Sequence, residues 1–545
     1  MSILSGSYDW NTDVLTSPLP VVHSRPAGTV RLIGAGTLLG NITWQSLADT
    51  AETSSPMQAA KLLNGPAVFA CVKDRTLFIA RDQMGQKSIY IKKEESSLQF
   101  SESLPALVTP NCTEDITAIA DYLCLGYIPA PKTRYREIRR IHSAHLLEAT
   151  SDKMTSAPYW QPIFAHTKIS FAEALEETER LLRLSVQKCL AVGSKPVVLL
   201  SGGIDSSLVS ALSKPQNACT IFFEEKEYNE QPLAKMTADA LGITHHAKCL
   251  TPDDATILSE LAAHSGEPFA DSSLLPTAYA VRMAAEMGDL ILSGDGGDEL
   301  FGGYRRYQLM LMRQKLGEPL ARTGGALLRA LLSPFPAAKD NRSRLADFHR
   351  TATAMSTSFL PAYASFQQIF SVEELRHLAP DLAPEYLAEW QERSRDVSAL
   401  TEKANYLDLT GYLPDDGCRK TAIAEDGINV TALAPILDME VANFALSLPF
   451  EFRFDTRKTK QILRSLGAKF LPETILAQPK RGFGMPVAQW FRQGPLRNQL
   501  EQAPRLPIFQ EAEYTRLLQE HFSGRANHAP KLWAILQLAL NGYGK

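Results

Sequence analysis

The 545-residue chain predicts an α/β protein, in which short antiparallel strands give way to a parallel sheet with helices and then to a mainly helical tail. Three observations predict it. Residues 1–105 are rich in Thr, Val, Ile and Gly, in near-alternating runs such as TVRLIGAGTLL and AVFACVKDRTLFIARD. From Ser170 onward, the apolar runs KPVVLL, ACTIFF and GDLILSG alternate with amphipathic helical segments. Beyond about residue 310 the pattern is helical to the end. The length exceeds what one core supports, so two or three domains are expected.

Near-alternation of apolar and polar residues reads as half-buried strand. LFIARDQMGQKSIYI reads as two strands joined by a Gly-containing turn. Residues 106–165, with prolines in YIPAPKTRY and SAPYWQP, read as a connector. In SFAEALEETERLLRLSVQKCL, Ser170 is an N-cap followed by Leu and Val at helical spacing. KPVVLL has no polar alternation, as in a parallel strand covered on both faces. The helical segments QPLAKMTADALG and LPTAYAVRMAAEMG complete the α/β alternation.

The 56 basic and 60 acidic residues nearly cancel, and no basic run marks a nucleic-acid track. Neither a signal peptide nor an apolar run of about 18 residues is present, so a cytoplasmic protein without a membrane partner is expected. The seven cysteines are scattered and never form CxxC, which argues against a disulfide scaffold and a zinc site.

The stretch VVLLSGGIDSSLVSALS carries the chemistry. A buried strand that runs through a glycine-rich turn into a helix aims backbone N–H groups at one spot, forming an anion site. Ser201, Gly202 and Gly203 let the backbone approach a ligand, and Ser206 and Ser207 add hydroxyls. Asp205 would repel phosphate unless a cation bridged them, which points to Mg²⁺. GK[ST] is missing, so this is not a Walker A loop. The bland alternative is a tight turn with no ligand. SGDGGDE follows the strand DLIL, which puts Asp295, Asp298 and Glu299 at the C-terminal edge of the sheet, where open α/β sheets bind ligands. A surface turn is the bland reading there too.

The loop resembles the pyrophosphate loop of the N-type ATP pyrophosphatases, and most of the chain resembles the asparagine synthetase family. GEPFADSSLLPTAYAVRMAAEMGDLILSGDGGDELFGGYRRY (266–307) is similar to that family's second motif. YIPAPKTRYREIRRI and PYW resemble its linker, and LPDD and PKRGFGMPVAQWF its C-terminal signatures. The resemblance implies a degenerate glutaminase-type β-sandwich with helices and connector over 1–165, and an ATP-dependent synthetase domain over 166–545. It also implies ATP and Mg²⁺: a carboxylate attacks the α-phosphorus, giving an acyl-adenylate and pyrophosphate, and an amine then displaces AMP. On this resemblance Leu200, Ser201, Gly202, Gly203, Asp205, Ser206, Ser207, Gly294 and Asp295 bind the nucleotide, and Asp205 and Asp298 carry the metal. Lys480, in QPKRGFG, lies near the α-phosphate, Lys420 reaches pyrophosphate, and Asp295 is a candidate general base. Each lysine alone would read as a surface charge.

Two departures from the family shape the expected activity. Glutamine-hydrolysing members expose a cysteine after Met1, whereas residue 2 here is Ser and the first cysteine is Cys71. The family's glutamine-holding stretches NGEIYN and DGDTE are not recognisable, so no working glutaminase is expected; whether Ser2 keeps a nucleophilic role is left open. After LPDD the family reads VDRASMAxSLEVRAPxLD and this chain reads TAIAEDGINVTALAPILD. Ala434, Pro435, Leu437 and Asp438 keep the frame, while Ala422, Ile423, Thr431 and Leu433 replace four charged residues. Such joint loss implies a repacked acceptor pocket poorly suited to free aspartate. β-Lactam synthetases, carbapenam synthetases and lasso-peptide cyclases share that profile. The expectation is an AMP-forming amide synthetase acting on a small carboxylate/amine substrate, with intramolecular closure. An ammonia-dependent asparagine synthetase and a catalytically silent scaffold are the alternatives. Relatives are often dimers, so a homodimer is the oligomer the resemblance suggests.

Overall fold

The structure, a computed structural model, describes residues 3–25, 27–333, 344–478, 484–492 and 494–543. The first half contributes β1 (Ser5–Asp9), β2 (Val14–Thr16), β3 (Val22–His23), β4 (Arg31–Gly36), β5 (Ala67–Lys73), β6 (Thr76–Arg81), β7 (Tyr90–Lys93), β8 (Ser97–Ser101), β9 (Ile138–Arg140), β10 (His145–Ala149) and β11 (Met154–Pro158). They form two sheets, ordered β2-β1-β8-β7-β9 and β11-β10-β6-β5-β4-β3. Every pairing in both is antiparallel. Tyr8, Leu98 and Phe100 from one sheet meet Ile33, Val68 and Ile79 from the other in a shared core. The antiparallel strands are those the alternating residues foretold, and their pairing into a sandwich is what the family resemblance implied. The helices Trp44–Thr53 and Pro56–Lys61 cover the outer face of the six-stranded sheet through Leu47, Ala48 and Ala59.

LFIARDQMGQKSIYI is not a hairpin. β6 pairs with β5 and β10, whereas β7 pairs with β8 and β9, so its two strands belong to opposite sheets. The Asp82 carboxylate accepts the N–H groups of Gln86 (2.9 Å) and Lys87 (3.0 Å), folding the connection into a crossover. The buried Arg81 ties it down by donating to the carbonyls of Lys87 (2.6 Å) and Ile141 (2.8 Å). The region read as a connector is also structured: it supplies β9–β11 and the helix Ile116–Leu125. Asp115 caps that helix, accepting from Thr117 N (2.9 Å), and Gly126 ends it at φ +89°.

The second half holds β12 (Pro196–Leu199), β13 (Asn217–Phe222), β14 (Thr244–Cys249), β15 (Leu290–Leu292) and β16 (Thr431–Leu433), ordered β14-β13-β12-β15-β16. All four pairings are parallel. The three apolar runs are the central strands, as expected. Both edge strands escaped notice, because β14 is the polar run THHAKC and β16 has three residues. The helices Phe171–Leu190, Ile204–Ser213, Gln231–Leu241 and Leu274–Ala285 fall where the sequence placed them. Ser170 and Glu173 close a capping box on the first. Helices then dominate from Arg305 onward, and among the described residues none is long and apolar enough to cross a membrane.

Buried charge joins the halves. Arg140 reaches Glu267 (3.4 Å) and Asp415 (3.5 Å), and Arg419 reaches Glu267 (2.8 Å). Asp415 also accepts the N–H of Ala130 at 2.9 Å. Asn64 donates to Asp438 (3.0 Å) and accepts from Met439 N (3.2 Å). Each buried charge has a partner, so removing one member leaves its neighbour stranded in a low-dielectric interior.

Candidate active site

β12 delivers the chain into Leu200–Gly203, and the helix starts at Ile204 with Gly203 as its N-cap. Gly203 has no side chain to cap this helix, and first-turn N–H groups at such a start suit an anion. Ser201 organises the turn: its hydroxyl accepts the N–H of Gly203 (3.2 Å) and lies 2.9 Å from the Ser206 hydroxyl. Ser207 donates to the Gly203 carbonyl at 2.8 Å. Leu200 is committed to the sheet, with its N–H on the Cys219 carbonyl (2.8 Å) and its side chain among Ala218, Ala234 and Ala238.

The turn after β15 presses on this loop, and two glycines make the approach possible. A Cβ on Gly294 would sit 2.6 Å from Ser206 N, and one on Gly297 would sit 2.5 Å from the Asp205 carboxylate. Asp298 thereby comes beside Asp205. Between them lies a residue the sequence reading missed. Lys460 is 2% exposed, stands in the left-handed region (φ +53°), and pairs with Asp205 and with Asp298 (2.7 Å). Nothing in DTRKTK distinguishes this lysine from its solvated neighbours; only the fold brings it to the carboxylates.

Asp205 and Asp298 therefore converge on a single cation position. Two carboxylates with water and phosphate oxygens suit Mg²⁺, which rarely uses an all-protein cage. Among the described residues no group of three or more His, Cys, Asp or Glu could hold a metal by itself. The residues present thus fit a metal shared with a phosphate ligand.

Glu299, the next residue, turns elsewhere. It is buried and accepts the Tyr304 hydroxyl at 2.7 Å. Burial, then the charge of Asp298, pushes its carboxyl up to about 7, against the pull of Tyr304. Asp295 accepts the Ser293 hydroxyl (2.8 Å) and lies 3.5 Å from that of Thr421. It faces a cavity of about 30 Å³ also lined by Gln86, Thr421, Ala422, Glu425 and Leu433. Of the four altered positions, Ala422 and Leu433 border this cavity. Ile423 faces a separate cleft of about 340 Å³ between the halves, and Thr431 lies in β16.

LPDD sits on a π-helical stretch, Asp408–Gly417. Neighbouring side chains on a helix point in different directions, and the two aspartates have different partners. Asp415 serves the junction between the halves. Asp416 belongs to a cluster with Asp271 and Lys420, where burial and then Asp271 hold its carboxyl well above the usual range. Lys420 lies 3.6 Å from Asp271. Neither Asp271 nor Asp416 was singled out from sequence. Lys480 and Ser2 lie outside the described residues.

A glycine-rich turn at the C-terminal edge of a parallel sheet, with two carboxylates beside it, stands where open α/β folds bind their ligands. The sequence matches the asparagine synthase family over residues 177–542 and the glutamine amidotransferase domain over 52–160. The chain belongs to the asparagine synthetase family, whose members are ATP-dependent ligases that form C–N bonds. A Mycobacterium tuberculosis protein provisionally named a glutamine-hydrolysing asparagine synthetase is 29% identical, over 85% of this chain and 73% of the relative. The glutamine-hydrolysing asparagine synthetase 1 of Bacillus subtilis is 24% identical, over 88% of this chain and 77% of the relative.

Proposed function

We propose that the chain is an AMP- and pyrophosphate-forming amide synthetase that activates a carboxylate and closes it onto an amine of the same molecule. The observation that carries this reading is the convergence of the Gly203–Ser206 backbone, Asp205, Asp298 and Lys460 on one position. There the N–H groups and the Lys460 ammonium hold the β,γ end of ATP, with Asp205 and Asp298 as the residues that would hold Mg²⁺. The metal, when bound, supplies positive charge to the phosphate oxygens. The substrate carboxylate oxygen attacks the α-phosphorus, and the bond to the β-phosphate breaks with its electron pair leaving on pyrophosphate. The amine then attacks the acyl carbon, the C–O bond breaks, and AMP leaves. Asp295 is the candidate acceptor of the amine proton, and Lys480 takes its place at the α-phosphate by family resemblance. Positioning and charge stabilisation supply the catalysis.

Intramolecular closure is supported by Ala422 and Leu433, which border the cavity beside Asp295 at positions where the family pattern has charged residues. A lactam-forming ligase in the cytoplasm, fed by a small amino acid, is the resulting assignment. Incubation of α-labelled ATP with a panel of small β- and δ-amino acids tests it: label must appear in AMP, and its appearance in ADP sinks the reading. A second reading, asparagine synthesis from free ammonia, is favoured by the relatives from Mycobacterium tuberculosis and Bacillus subtilis, which are named asparagine synthetases. AMP release that requires both aspartate and ammonium would establish it.

Glutamine hydrolysis is not part of either reading. Cys71 is fully buried, and burial pushes its thiol up to about 12, the reverse of an activated nucleophile. Cys124 is likewise buried with its thiol raised.

A further inference from the structure

The segment after LPDD that loses four charged residues against the family pattern also gains two. Glu425 and Asp426 stand where VDRASMAxSLEVRAPxLD has Ser and Met. The losses are two acids and two bases, so the exchange leaves this stretch richer in negative charge. Ala422 and Glu425 are one turn apart on the helix Cys418–Glu425 and share a face. The carboxylate that the pattern puts at 422 is thus replaced by one a turn further along the same face.

That face is a wall between two spaces. Ala422 and Glu425 line the small cavity that Asp295 faces, and the same two residues line the cleft of about 340 Å³ between the halves. The cleft falls within the range of small-molecule sites, about 300–1,000 Å³. It is short of positive charge. Among the described residues its lining holds the carboxylates of Glu102, Glu425 and Asp426. Lys87 pairs with Glu425 at 2.9 Å and lies 4.0 Å from Glu102. Arg419, also in the lining, is committed to Glu267 at 2.8 Å. One ammonium therefore answers three acids. Burial, then the charges of Glu425 and Asp426, raise the Glu102 carboxyl against the pull of Lys87.

The Glu425 side chain is 10% exposed. Its Oε1 accepts from Lys87, whereas its Oε2 is buried and has no hydrogen-bond partner among the described residues. A buried carboxylate oxygen without a donor costs free energy that a ligand N–H recovers. Among the described residues no group of three acids, histidines or cysteines could hold a metal. An ammonium, a compact cation with three donors, fits the excess charge and the open oxygen.

We propose that Glu425 holds the amine of the substrate: its Oε2 accepts from the ammonium of an amino acid whose body lies in the cleft between the halves. The nitrogen then stands at the wall of the cavity that Asp295 faces. The inference rests on the amide-synthetase reading of the site and narrows its substrate to an acid that carries its own amine.

Calorimetric titration of the full chain with 5-aminopentanoate, without nucleotide, tests this apart from the chemistry. The wild-type protein binds it at least about tenfold more tightly than pentanoate, which lacks the amine. Glu425→Gln removes that preference, so the two acids bind alike. Because this substitution also loosens the Lys87 pair, a second variant keeps that pair in place. Ala422→Lys sets an ammonium one turn from Glu425 and abolishes the preference with thermal unfolding unchanged. A Glu425→Gln protein that unfolds earlier but still prefers the amine overturns the proposal, as does a wild-type protein that binds the two acids equally or binds neither. AMP release by Glu425→Gln at the wild-type KM for the amino acid overturns it too and spares the synthetase reading. Glu425-dependent binding of 5-aminopentanoate with α-label found in ADP keeps the amine site and sinks that reading instead.

Discussion

The Lys460 ammonium lies 2.7 Å from a carboxylate oxygen of Asp298. The same ammonium pairs with Asp205, so one buried cation bridges both acids. A divalent cation at that position would do the same work and compete for the same oxygens. Lys460→Met removes the ammonium that Asp205 and Asp298 share and destabilises the fold in EDTA, by up to about 3–5 kcal/mol. Added Mg²⁺ recovers more stability in the variant than in the wild-type protein. Thermal unfolding with and without Mg²⁺ reads this directly, and an equal response in the two proteins would remove the two aspartates from metal binding.

Gly294→Ala places a methyl group against Ser206 N, in the loop proposed to hold phosphate. The turn after β15 must then withdraw from the loop. ATP-analogue affinity, measured by calorimetry, falls at least tenfold, worth about 1.4 kcal/mol, with the circular dichroism spectrum unchanged. Undiminished affinity would show that the two segments do not bind nucleotide as a unit.

The adjacent aspartates of LPDD respond in opposite ways. Asp415→Asn strips a carboxylate from Arg140 and destabilises the fold by about 3–5 kcal/mol in chemical denaturation. Asp416→Asn mainly removes activity. Because burial and Asp271 raise the Asp416 carboxyl, the folded protein holds a proton there that the unfolded chain has released. Its contribution is present below the ordinary carboxylate range and is lost as pH rises above that range toward neutrality. Asn cannot titrate, so Asp416→Asn gains on the wild-type protein as pH rises. A constant difference across that window contradicts the assignment.

Glutamine should contribute nothing. No glutamate appears on incubation with glutamine, and an electrophilic glutamine analogue leaves AMP production intact. Covalent labelling that stops AMP production would reopen the question.

Much of this was legible before any coordinates. Three uninterrupted apolar runs announced the centre of the parallel sheet, because a strand buried on both faces cannot carry polar alternation. SGGIDSS and SGDGGDE were legible as turns after buried strands, and the structure packs the two against each other. The edge strands β14 and β16 were illegible, since an edge tolerates polar residues and short length. The Asp82 turn was misread for a related reason: a glycine marks a turn but does not say which sheet receives the next strand.

Sequence by itself determined the fold class and the family, which reside in contiguous residues with a local physical signature. Tertiary structure alone decided that Lys460 serves Asp205, that Asp415 and Asp416 have different duties, and that Glu425 stands between two cavities. Those facts depend on contacts between residues far apart in the chain, and a lysine, an aspartate or a glutamate carries no local mark of the partner that folding will bring to it.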